Sequence, residues 1–121
     1  MTPDVLDKLT RRGDTSKQAA GYRLRAARIS LGKGQEELAR DMQSGMTKQK
    51  MRNAEAGRNY PGIEVMQYLW RRHRIDMTFI LHGDYAHLAG DVQERLFSAL
   101  QAVTSELDQG QGSADPSERE P

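Results

Sequence analysis

Behind Thr47, a residue type that opens helices, the chain crowds Lys48, Gln49, Lys50, Arg52 and Asn53 into one short stretch. Gln and Asn carry a donor and an acceptor side by side, which suits the edge of a base in a major groove, while Lys and Arg neutralise phosphates. Such a set recognises rather than catalyses. Elsewhere Gly32-Lys33-Gly34 lacks the spacing of a phosphate loop, no Ser/His/Asp order with a nucleophile turn occurs, and no two carboxylates are paired as an acid and a base would be. The residues therefore point away from an enzyme. The chain has no Cys, which removes disulfides, thiolate nucleophiles and Cys-held metals and fits a reducing cytoplasm. His82 and His87 stand five apart with no other ligand at metal spacing between them, so neither a metal nor another cofactor is expected.

Presenting those side chains together takes a helix. Met51 and Ala54, three apart, are the inward positions of the 47–57 segment, and Gly57 supplies a left-handed stop. Gln35-Glu36-Glu37-Leu38-Ala39 opens a helix to about Met42 that buries Leu38, Ala39 and Met42, and Gln43-Ser44-Gly45 is the turn between the two. Ahead of them, a long helix from about Ser16 to Leu31 has an apolar stripe of Tyr22, Leu24, Ala27, Ile29 and Leu31, with Arg23, Arg25 and Arg28 mostly off it. Behind them come an Asn59-Tyr60-Pro61-Gly62 loop and a helix from Ile63 to about Arg74 with Ile63, Met66, Leu69 and Trp70 inward. Asp76 then caps a short helix from Met77 to Leu81, with Met77, Ile80 and Leu81 apolar and Phe79 nearby, and Gly83 stops it. Residues 4–12 form at most an amphipathic turn or two. Nearly every signal is helical, and the fold class is all-α.

A different segment follows. Val92, Leu96, Ala99, Leu100, Val103 and Leu107 make one apolar stripe on a helix from about Gly90 to Leu107, and a stripe of that length must be covered. Two partners are open: the chain's own domain, or a second copy, which would make Val92, Leu96, Leu100, Val103 and Leu107 a dimerisation face. A partner protein is a third occupant for the same stripe. From Gln109 to Pro121 there is no large apolar residue, and a disordered tail is expected. The organisation is thus an extension over 1–15, a domain over 16–84, the amphipathic helix over 85–108 and the tail over 109–121. No apolar run approaches a membrane span, and the first residues, with Asp4 and Asp7, do not read as a signal peptide.

The 121 residues are 36% hydrophobic, enough for one core. The net charge of +1 hides two poles: residues 1–75 hold 16 Lys/Arg against 8 Asp/Glu, and residues 76–121 hold 2 against 9. A basic half favours a polyanion through counterion release, and an acidic end keeps the remaining surface away from it.

Residues from about Leu24 to Asp84 resemble the lambda-repressor-like, or XRE-type, helix-turn-helix family of bacterial and phage regulators. The resemblance rests on ordered landmarks over about half the chain: Arg28, Gln35-Glu36-Glu37-Leu38-Ala39, Thr47, Glu55 with Gly57, Pro61, and Asp76-Met77-Thr78-Phe79-Ile80-Leu81-His82-Gly83. It implies a five-helix DNA-binding domain and a transcriptional regulator, a repressor by default, acting as a homodimer on double-stranded DNA in the cytoplasm, at the nucleoid. The same fold also serves antitoxin-like or anti-activator proteins that bind a protein. By the resemblance Gln35 contacts a phosphate and braces the recognition helix. Lys48, Gln49 and Asn53 read bases, Lys50 and Arg52 touch phosphate or give support, and Arg58 and Asn59 lie along the DNA backbone. Arg28 pairs with Glu55 as a structural link. Three departures stand out. The turn is two residues longer than usual, Gly34 replaces the usual capping Ser or Thr, and Ala54 is smaller than the usual branched residue, leaving space for Met42, Met46 or Met51.

Overall fold

Capping residues set where the helices begin. Thr2, Ser16, Thr47 and Asp76 each accept a first-turn N–H through the side chain, from Val5, Ala19, Lys50 and Phe79 respectively, satisfying donors that a helix leaves unpaired at its start. The computed structural model describes residues 1–109 and 115–119. Among these it is all-helical: α1 (Pro3–Leu9), α2 (Lys17–Ser30), α3 (Gln35–Met42), α4 (Lys48–Glu55), α5 (Ile63–His73), α6 (Met77–His82) and α7 (Gly90–Gln109), followed by a 3-10 turn at Pro116–Arg119.

The α2 helix is the axis of the molecule and packs against α4, α6 and α7. Its apolar side chains Tyr22, Leu24, Ala26 and Ala27 enter the core, but so do two cations expected outside it. Arg23 and Arg28 are both fully buried. Arg23 donates to the carbonyls of Thr10 (2.9 Å), Ile80 (3.2 Å), Asp14 (2.7 Å) and Arg11. This fork ties the chain ahead of α2 to α6. The extension is consequently part of the fold: Tyr22 donates its hydroxyl to the Leu9 carbonyl at 2.7 Å, Tyr85 donates to Asp7 at 2.9 Å, and α1 packs on α7.

The α7 stripe is covered by the chain itself. Val92, Leu96, Leu100 and Val103 are all within 1% of full burial against α2 and α1, and each such side chain contributes about 1.5–3 kcal/mol of burial. Of the proposed dimerisation residues only Leu107 stays outside, 58% exposed. Of the occupants open to the stripe, the chain itself covers these four side chains; periodicity reveals that a face is buried and not what buries it. Register also differs on α5, where Val65, Met66 and Leu69 turn inward while Ile63 and Trp70 are 57% and 56% exposed. On α6 the buried pair is Phe79 and Ile80, and Met77 is exposed. Both patterns fit helical spacing, and packing of α6 on α2 and of α5 on α6 goes with the second.

Residues 115–119 correct the expectation of a wholly disordered tail. Asp115 and Pro116 are buried, and Asp115 bonds to Arg28; an ion pair anchors what apolar content could not. The rest of the proposed tail, 110–114 and 120–121, lies outside the described residues.

Candidate nucleic-acid interface

A five-residue link joins α3 to α4. Gln43 ends α3 in the left-handed region at φ 53°, Gly45 follows at φ 78°, and Thr47 caps α4. The link's Met46 and the last residue of α3, Met42, are partly buried against the core that holds Met51 and Ala54, yet a cavity lined by Met46, Met51 and Ala54 stays open beside that small residue. Seating of α4 on α2 is close. A Cβ on Gly21 would lie 2.5 Å from the Ala54 carbonyl oxygen and 2.6 Å from that of Glu55, so only glycine lets the two backbones meet there.

Charge locks this seat. Arg28 places Nε 2.7 Å from Glu55 Oε2 and its terminal nitrogen 2.8 Å from Oε1, a two-point pair. Gln35 donates from Nε2 to Glu55 Oε1 at 3.1 Å, and the Lys33 carbonyl accepts from Arg28 at 2.8 Å. One cluster thus links α2, the α2–α3 loop, α3 and α4. Burial alone would lower the Arg28 pKa, but the hydrogen bonds and charges of Glu55 and Asp115 outweigh it and hold the guanidinium above its ordinary value. For Asp115, burial pushes the carboxyl up, while the bonds from Arg28 and the Ser117 N–H, with the charge of Arg25, bring it well below the carboxylate range.

The outer face of α4 and the residues just beyond it carry most of the side chains expected to meet DNA. Thr47, Gln49, Lys50 and Arg52 are exposed, Lys48 and Asn53 half-buried, and Arg58 and Asn59 exposed just beyond the helix. Gln49 donates from Nε2 to Asn53 Oδ1 at 3.0 Å, and Arg58 donates to that same oxygen at 2.8 Å. Asn53 is therefore the hub of a small polar network that holds Gln49 and Arg58 in place. Lys50 leans back, its Nζ 3.3 Å from the Gly45 carbonyl. The structure thus brings Gln49, Asn53 and Arg58 together, and Gln35, Arg28 and Glu55 together in a second group behind them.

No protein-family model, no curated protein and no solved structure matches this chain. Two groups escaped the residue pattern. Asp115 and Ser117 join the Arg28–Glu55–Gln35 cluster from 82 or more positions away, a distance over which spacing carries no signal. Arg23, mostly off the apolar stripe by spacing, is buried, and its four carbonyl partners, none of them on α2, explain its place.

Proposed function

We propose that this chain is a sequence-specific DNA-binding transcriptional regulator of the lambda-repressor-like helix-turn-helix type, with α2 to α6 as its five-helix domain, α3–α4 as the helix-turn-helix pair and α4 as the reading helix. The observation that carries this reading is the outer face of α4. Gln49, Asn53, Lys50 and Arg52 stand together on a helix whose opposite face is fixed to α2 by Gly21, Met51 and the Arg28–Glu55 pair. Rigid support matters because base readout needs donors and acceptors placed before the groove is entered. Lys and Arg alone would serve a nonspecific binder; two carboxamides next to them favour sequence reading. Occlusion of a promoter needs only binding, so repression is the proposed outcome.

One helix of this kind reads only a few base pairs, so two copies on half-sites about one DNA turn apart, roughly 10 base pairs, are part of the proposal. Their contact lies outside the α7 stripe. A second reading, a regulator that uses this fold to hold a protein, is favoured by one observation: Trp70 and Ile63, seven apart on α5, leave a large aromatic and an aliphatic side chain on one exposed face.

Titrating a labelled duplex against the protein over a salt series tests the DNA reading. Log K should fall linearly with log salt by about 0.9 per phosphate neutralised, and Arg52→Ala should flatten the slope by about one unit. Absence of binding at low salt would leave the protein-holding alternative.

A further inference from the structure

The N-cap residue of α3 is Gly34, which has no side chain to accept a first-turn N–H, and Glu37 reaches back only to the Gly34 N–H, at 3.3 Å. The hydroxyl that accepts the Gln35 backbone N–H belongs instead to Ser117, at 2.9 Å. Just ahead of it, Asp115 lays one carboxylate oxygen 2.7 Å and the other 2.8 Å from the Arg28 guanidinium, accepts the Ser117 N–H at 2.9 Å and lies 3.3 Å from Arg25 Nε. Neither guanidinium needs this carboxylate for charge balance. Arg28 has Glu55, and Arg25 has Glu106 at 2.7 Å. Asp115 is a third carboxylate on two cations, and it adds to the two that the first turn of α3 already carries, Glu36 and Glu37.

Such a position matters in a helix-turn-helix pair, because the first helix crosses the DNA backbone and helix-opening N–H groups are donors that phosphate oxygens take. We infer that residues 115–117 form an autoinhibitory strap: Ser117 Oγ occupies the Gln35 N–H that a DNA phosphate would bond, and Asp115, held on Arg28, keeps the strap and its own carboxylate beside the opening of α3 until a duplex displaces it. The inference rests on the DNA-binding reading above. Strap and phosphate exclude each other at one N–H, so the apparent affinity falls in proportion to the open fraction. The strap lowers binding to every duplex, and the extra contacts of a cognate site displace it most readily.

Full-length protein and its Asp115→Asn/Ser117→Ala double variant, titrated by fluorescence anisotropy with a labelled mixed-sequence duplex of about 20 base pairs, test the strap. The double variant should bind about tenfold more tightly at low salt, as for a strap closed about nine-tenths of the time. That gap should shrink as salt rises, since salt weakens the ion pairs that close the strap. Asp108→Asn makes the same charge change on an exposed residue and should not reproduce the gain. Ser117→Ala alone keeps the pairs of Arg28 with Glu55 and Asp115; it should show part of the gain even if the double variant fails to fold by circular dichroism. Equal binding by all forms would overturn the strap and leave the DNA reading standing. Weaker binding by the Ser117→Ala variant would also overturn it, by making the segment a brace for α3. If no form binds duplex, both readings fall together.

Discussion

A guanidinium removed from water is tolerated only when its donors are met, and Arg23 meets this condition with carbonyls instead of a carboxylate. Burial presses its pKa below the ordinary arginine value, with Asp14 opposing, and the four acceptors keep the cation in place. Those acceptors come from the segment ahead of α2 and from α6, so a single side chain holds the extension on the domain. Arg23→Met keeps the length and removes every donor, leaving Thr10, Arg11, Asp14 and Ile80 carbonyls short of a partner. Urea unfolding should show a loss of about 3 kcal/mol, the scale of several unmet buried acceptors. A loss under about 1 kcal/mol would mean that water replaces the guanidinium and that the fork is not what fastens the extension. From residue type alone Arg23 reads as a surface cation, because what reverses that reading is the position of four carbonyls that no local pattern reveals. Arg28 differs. Its link to Glu55 follows from a family resemblance that places the pair, while its second partner, Asp115, lies 87 positions away and leaves no trace in spacing.

Among the helices, periodicity was informative about how much face is buried and silent about the partner. Val92, Leu96, Leu100 and Val103 announce a stripe on α7, yet the same residues serve a dimer, a protein partner or the chain itself; only the contacts with α2 and α1 decide. On α5 the spacing allowed two registers, and Trp70, the largest apolar side chain on the helix, took the exposed one. The α3–α4 unit was the most legible, because a capping Thr47, a glycine stop and inward Met51 and Ala54 agree with one another. A consequence follows for α7. Replacing Leu96 and Val103 with Glu puts two carboxylates into the core, so circular dichroism should show the whole domain losing its cooperative transition. A folded, soluble double variant of lower mass in sedimentation would instead show that the stripe faces another molecule and that its packing on α2 is dispensable.

At the scale of the molecule, the sequence separates a basic first part from an acidic last part, and the fold brings them back together. Acidic α7 residues meet the basic domain at two points, Glu106 with Arg25 and Asp91 with Arg74, and Asp115 adds a third. The exposed cations on and beside α4, Lys50, Arg52 and Arg58, are not part of those three pairs, and in the proposed reading they meet a polyanion while the carboxamides between them discriminate sequence. The whole account turns on α4 reading bases. The direct measurement is selection of bound sequences from a pool of randomised duplexes, followed by affinity on the winning site and on random duplex for the natural chain, Gln49→Ala and Asn53→Ala. One motif should emerge, and each variant should lose about 1–3 kcal/mol on it while binding random duplex nearly as the natural chain does. Selection that yields no motif, or variants that weaken equally on selected and random DNA, would contradict the account.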